Sequence, residues 1–110
     1  MAKTIENKKV TISFERLGQS GVEEVGVDTT YFELIFNSCK KPNNQQEGYS
    51  WDEIEKINRI KEYYLQSKMV ESISVEDADI SFIVDKVSKK NWASFDKNLL
   101  EFKKYIEKLT

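Results

Sequence analysis

Residues 71–87, Glu-Ser-Ile-Ser-Val-Glu-Asp-Ala-Asp-Ile-Ser-Phe-Ile-Val-Asp-Lys-Val, set two hydrophobic periods back to back. Ile73 and Val75 alternate with polar neighbours, which is the period-two pattern of a strand with one wet side. Ile80, Ile83, Val84 and Val87 then fall at i, i+3, i+4 and i+7, one face of a helix. Ser74 stands three residues before Asp77, a capping box with Asp in place of Glu or Gln, so its hydroxyl is expected to accept an orphan amide of the first turn. Glu76, Asp77 and Asp79 suit the positive end of the helix dipole. The pattern predicts a strand near 70–75 and a helix over 76–89. It is a packing unit and contains no evident chemistry.

Upstream, residues 1–7 are polar and are expected to be disordered. Val10, Ile12 and Phe14 alternate with Thr11, Ser13 and Glu15, predicting a strand over about 8–16. Leu17-Gly18-Gln19-Ser20-Gly21 reads as a turn, and Val22, Val25 and Val27 as a second strand with Gly26 at a bulge, which together make an N-terminal hairpin. Tyr31, Phe32, Leu34, Ile35 and Phe36 are apolar at both helical and strand spacing. A helix over 30–40, capped by Asp28 or Thr29 and ended before Pro42, is preferred, because Tyr31–Ile35, Phe32–Phe36 and Ile35–Cys39 meet at i+4. A strand is the alternative, since Thr, Tyr and Phe favour strands.

Residues 41–49, with Pro-Asn-Asn-Gln-Gln-Glu-Gly, form the expected surface loop. Ser50-Trp51-Asp52-Glu53 matches a capping box directly. Trp51, Ile54, Ile57, Ile60, Tyr64 and Leu65 are expected to line one side of a helix running to about Ser67. After residues 89–93, where Trp92 is expected to fill the space between two helices, Ser94 reads as the cap of a last helix. Phe95, Leu99, Phe102, Ile106 and Leu109 step by 4, 3, 4 and 3 along it, a clean seam. The expected core contains Ile54, Ile57, Ile80, Ile83, Val87, Trp92, Leu99, Phe102 and Ile106. The expected fold is α+β in a single domain over 1–110: a small antiparallel hairpin or three-stranded sheet packed against about four helices.

Composition narrows the function classes. The 110 residues carry a net charge of −2 and include one cysteine and no histidine. Without histidine, Ser-His-Asp and Cys-His catalysis and most zinc sites are excluded. A lone Cys39 excludes an intrachain disulfide and reads as a small apolar filler. No run approaches the roughly 18 apolar residues of a membrane span, and the Met-Ala start lacks the layout of an export signal, so a cytoplasmic protein is expected. Asp77-Ala-Asp79-Ile-Ser81 starts like a calcium loop, but Phe82 and Ser88 stand where the loop needs Gly and Glu. Gly18 and Gly21 lack the lysine and spacing of a phosphate loop. No catalytic, cofactor-binding or metal-ligating residue is assigned, and no cofactor is expected.

Two surfaces remain as candidates. Tyr49, Trp51 and Tyr63 are the candidate interface, because aromatics with a polar tip are enriched at binding hot spots. Lys86, Lys89, Lys90, Lys97, Lys103 and Lys104 are the candidate basic surface. Residues 86–110 hold seven Lys against three acids, on an otherwise acidic chain. That quarter contains no Arg, the residue that grips phosphate bidentately or reads bases, which favours a protein partner over nucleic acid.

The order of features over residues 51–107 resembles small uncharacterised accessory proteins of tailed phages and mobile elements. Those features are a helix carrying Arg59-Ile60, a Val-Glu-Asp-Ala-Asp helix start at 75–79, an apolar face, Trp92 and a last helix with Phe102. The resemblance implies an accessory role in a bacterial cell or phage-infected host, and it brings over no catalytic or binding residue. The expected function is a small non-enzymatic protein–protein interaction or assembly module, with a protein partner or a second copy of itself. The alternative is a nucleic-acid-associated protein using the Lys-rich quarter, and a small acid-based enzyme comes third.

Overall fold

Ile5 and Ile73 face each other across a short antiparallel ladder that joins the start of the chain to its middle. In the computed structural model, which describes residues 2–19, 21–42, 46–92 and 94–109, β1 (Ala2–Glu6) pairs with β4 (Ser72–Glu76). The expected disordered terminus is therefore a strand over residues 2–6. Its one large apolar side chain, Ile5, is fully buried, too short a signal to read as a period. The Glu6 amide donates to the Tyr105 hydroxyl at 3.0 Å. Asn7 donates through Nδ2 to the Ser67 carbonyl at 3.1 Å and accepts the Phe32 amide at 3.0 Å. These bonds tie the strand to three helices.

The hairpin of β2 (Lys9–Gly18) and β3 (Gly21–Thr30) is longer than expected. Its register is unbroken from Lys9–Thr30 to Gly18–Gly21, so Gly26 pairs regularly with Ser13 and no bulge exists. Gly21 holds φ of +113° at the turn, a conformation open to glycine. The two sheets are separate two-stranded ladders, β1–β4 and β2–β3, so residues 72–76 extend the N-terminal strand and not the hairpin.

Four helices complete the α+β fold: α1 (Tyr31–Cys39), α2 (Trp51–Ser67), α3 (Asp77–Lys89) and α4 (Lys97–Glu107). The preferred helix over 30–40 is α1, and Tyr31, Phe32, Leu34, Ile35 and Cys39 are all buried in it. It packs against α2 and α3, while Tyr31 meets Phe102 of α4 edge-on at 5.0 Å. Ile80, Ile83, Val87, Leu99, Phe102 and Ile106 are buried as expected, Ile57 and Trp92 are half-buried, and Ile54 is exposed.

Three expected caps move along the chain. Thr30, not Asp28 or Thr29, accepts the Glu33 amide at the start of α1. Ser74 is held in the β4 ladder opposite Thr4, and α3 begins after Glu76 with no side-chain cap bond. Asp96, not Ser94, caps α4 by accepting the Asn98 amide at 2.8 Å. Ser94 is engaged elsewhere, donating to the Ser13 carbonyl, and Asp96 also accepts the Ser13 amide at 2.8 Å. The segment before α4 thus covers the outer edge of β2, where backbone groups would otherwise lack strand partners. Phe95 sits in that segment, outside the helical period, and is 86% exposed.

Met1, Ser20 of the expected turn, Asn43, Asn44 and Gln45 of the expected loop, and Ala93 of the expected link lie outside the described residues.

Candidate functional site

The start of α2 is fixed by the capping box read from its sequence. Ser50 Oγ accepts the Glu53 amide at 3.2 Å, and Glu53 Oε1 accepts the Ser50 amide at 3.3 Å. Glu53 is buried, and its other oxygen lies 3.8 Å from Lys86 Nζ on α3. Further along, Arg59 Nε donates to Asp79 Oδ1 at 2.9 Å and the Tyr63 hydroxyl donates to Asp79 Oδ2 at 2.8 Å. Asp79 is only 2% exposed, so α2 grips a buried carboxylate of α3 with two donors one turn apart. Burial and then the bond to Asp79 push the Tyr63 phenol above its ordinary range, while the bond to Asp79 raises Arg59. Against α1, Tyr64 stacks on Phe36 at 5.3 Å.

These contacts set the rotation of α2 about its axis. Ile60 is buried, with Ile57, Tyr63 and Tyr64 half-buried beside it. The opposite side carries Trp51 at 85% exposure, Leu65 at 49% and Ile54 at its edge, separated by Glu55, Asn58 and Glu62. Met69 continues the line past the end of the helix, and it too is exposed. By apolar spacing alone Trp51, Ile54 and Leu65 are expected on the core side with Ile60, and the structure turns them outward. An apolar set spread this widely around a helix admits more than one buried face, and the Asp79 clamp selects the one observed. A polar residue at the start of α3, read only as favouring the helix dipole, held that information.

The structure separates the candidate interface residues. Trp51 lies on the outward face. Tyr49 is exposed just before it, with its hydroxyl donating to the Lys40 carbonyl. Tyr63 belongs to the clamp and is half-buried, so it is not an exposed aromatic.

The six candidate lysines do not form one surface. Lys86 is buried, donating to the Lys41 carbonyl at 2.8 Å. Lys89 pairs with Asp85 at 2.9 Å. Lys90 donates to the Asn37 carbonyl at 3.3 Å and lies over the Trp92 ring at 4.5 Å. Lys97, Lys103 and Lys104 are exposed on α4, where Lys103 is 3.8 Å from Glu107. Lys40 and Lys41, outside the basic quarter, join Lys86, Lys89 and Lys90 where the ends of α1 and α3 meet. Their adjacency before Pro42 was the sequence signal for them.

Cys39 is fully buried, and burial pushes its thiol up to about 12, which leaves no thiolate for nucleophilic work at neutral pH. Among the described residues no group of three or more Cys, Asp or Glu is placed to hold a metal ion, and no helix is long and apolar enough to cross a membrane. Comparison with protein-family models, curated proteins and solved structures finds no match.

Proposed function

We propose that this chain is a small non-enzymatic protein–protein interaction module, acting in the cytoplasm, whose docking surface is the outward face of α2. The observation that carries this reading is the position of Trp51, Ile54 and Leu65 on a helix side that the clamps to α1 and α3 turn away from the core. Trp is among the residues most enriched at interface hot spots, and burying one side chain of this size removes a large apolar area from water. The phage or mobile-element setting of that role rests on the resemblance of residues 51–107 alone.

The same face is self-complementary. If two copies of α2 cross antiparallel about Asn58, Trp51 meets Leu65 of the other copy and Glu55 meets Lys61, each pair occurring twice. That is the pattern a two-fold interface requires. Glu55, Asn58 and Lys61 are all exposed.

Affinity capture from the native host tests the proposal, comparing wild type with a Trp51→Ala/Leu65→Ala variant at about 0.5 M salt, where phosphate-driven binding is suppressed. A partner held by wild type and lost by the variant, or a dimer in light scattering that the variant abolishes, supports it. Recovery of nucleic acid alone, equally by both proteins, contradicts it.

A further inference from the structure

Five lysines meet where α1 and α3 end side by side: Lys40 and Lys41 after α1, and Lys86, Lys89 and Lys90 at the end of α3. Two of the ammonium groups serve the helix ends, Lys86 donating to the Lys41 carbonyl and Lys90 to the Asn37 carbonyl. Carboxylates offset two of the charges, Glu53 near Lys86 and Asp85 beside Lys89. Among the described residues no ion pair joins Lys40, Lys41 or Lys90 to a carboxylate. Burial, with Lys41 and Lys40 nearby, pushes the Lys90 ammonium below its ordinary range. The fold therefore keeps three positive charges together at some cost.

Lys41, Lys86, Lys89 and Lys90 line a recess of about 250 Å³ that includes Ser38 and Asn91, and Lys40 lines the groove beside it. Lys41, Lys90 and Asn91 also line that groove, of about 410 Å³, whose other walls include Phe14, Val27, Leu34 and Trp92. A cationic recess opening into an apolar groove with an indole in its wall matches a ligand that has an anionic group beside a flat ring. Lysine binds phosphate as a point charge and does not need the two-pronged geometry of arginine.

We propose that this double recess binds a nucleoside phosphate, with the phosphate among Lys40, Lys41 and Lys90 and the base in the groove beside Trp92. The ligand is either a free mononucleotide or one unit of a single-stranded nucleic acid. The site is independent of the α2 face, on a different pair of helices.

A Trp51→Phe variant leaves Trp92 as the one tryptophan, so its fluorescence reports the groove directly. The probes are AMP and a short oligothymidylate, titrated at about 50 mM salt and again at higher salt. Quenching by AMP assigns a free-nucleotide site, and quenching by oligothymidylate alone assigns a single-strand site. For the strand, one phosphate held among the three lysines gives a slope of log affinity against log salt of about −0.7. Adding Lys41→Glu and Lys90→Glu should weaken binding by about tenfold or more. Lys40→Glu/Lys41→Glu, which alters only exposed side chains, carries the test if the Lys90 variant does not fold by circular dichroism. The proposal is overturned if neither probe quenches Trp92, if charge reversal leaves binding unchanged, or if polyglutamate displaces the probes as well as unlabelled nucleotide does.

Discussion

Trp51 and Ile60 stand nine residues apart on α2, about two and a half turns, and so on opposite sides of the helix. Ile60 is 1% exposed and Trp51 is 85% exposed. If the outward face serves binding and not folding, Trp51→Ala and Leu65→Ala should change stability by no more than about 0.5 kcal/mol. Phe102→Ala, which empties a site 1% exposed beside Tyr31 and Trp92, should cost about 3–5 kcal/mol. Chemical denaturation of the three variants separates the two kinds of site. A loss above about 1 kcal/mol at Trp51 would place it in the fold's own packing.

Much of the architecture was legible because local rules agreed. Ser50 and Glu53 capped α2 as their spacing required, and Ile80, Ile83, Val87, Leu99, Phe102 and Ile106 faced inward as their period required. What was not legible depended on distant parts of the chain. Ile5 becomes core only because Ile73 arrives opposite it, and Ser94 loses its capping role because Ser13 takes its hydroxyl. The outward face of α2 was hidden for the same reason. Its rotation is decided by Asp79, sixteen residues from Tyr63 and on another helix. Lys40 and Lys41 do not stand out in the charge balance of any one stretch of chain, because helix ends gather charge in space.

The Asp79 clamp makes a coupled prediction. Asp79→Ala strips the acceptor from both Arg59 and Tyr63, and should cost about 1–3 kcal/mol. Arg59 is half-exposed, so water takes over part of its loss. Tyr63→Phe should cost less in wild type than the Asp79 change does, and almost nothing once Asp79 is alanine. Additive losses in the double-mutant cycle would show that the two residues do not act together.

Asp96 makes a pH prediction. Its carboxyl is held below the ordinary carboxylate range by the Asn98 amide and then by the Ser13 amide. A carboxylate depressed in the folded state contributes stability above its unfolded pKa, near 3.9 for Asp, and loses it as pH falls through the lower folded value. Asp96→Ala should therefore lower Tm at pH 7, and the gap to wild type should narrow below about pH 4. A gap that stays constant through acid would show that the folded state does not favour the charged form.

Tyr63 and Tyr31 predict the opposite edge of the pH range. Burial is the first cause of the rise in both phenols. A group whose folded pKa is raised contributes stability below its unfolded value, near 10 for Tyr, and loses it as pH rises through the folded value. Denaturation midpoints should fall above about pH 10, less steeply in Tyr63→Phe. An unchanged alkaline slope in that variant would remove Tyr63 from the linkage.

Photo-crosslinking in the native host, with benzoylphenylalanine in place of Trp51, asks whether the outward face of α2 docks a protein. The same substitution at Phe95, equally exposed on another part of the fold, serves as the control. A docking face gives a discrete protein adduct from position 51, to a second copy or to another chain, that is absent from position 95 and lost when Leu65 is changed to Ala. No discrete adduct at 51, or the same adducts from both positions, would contradict it.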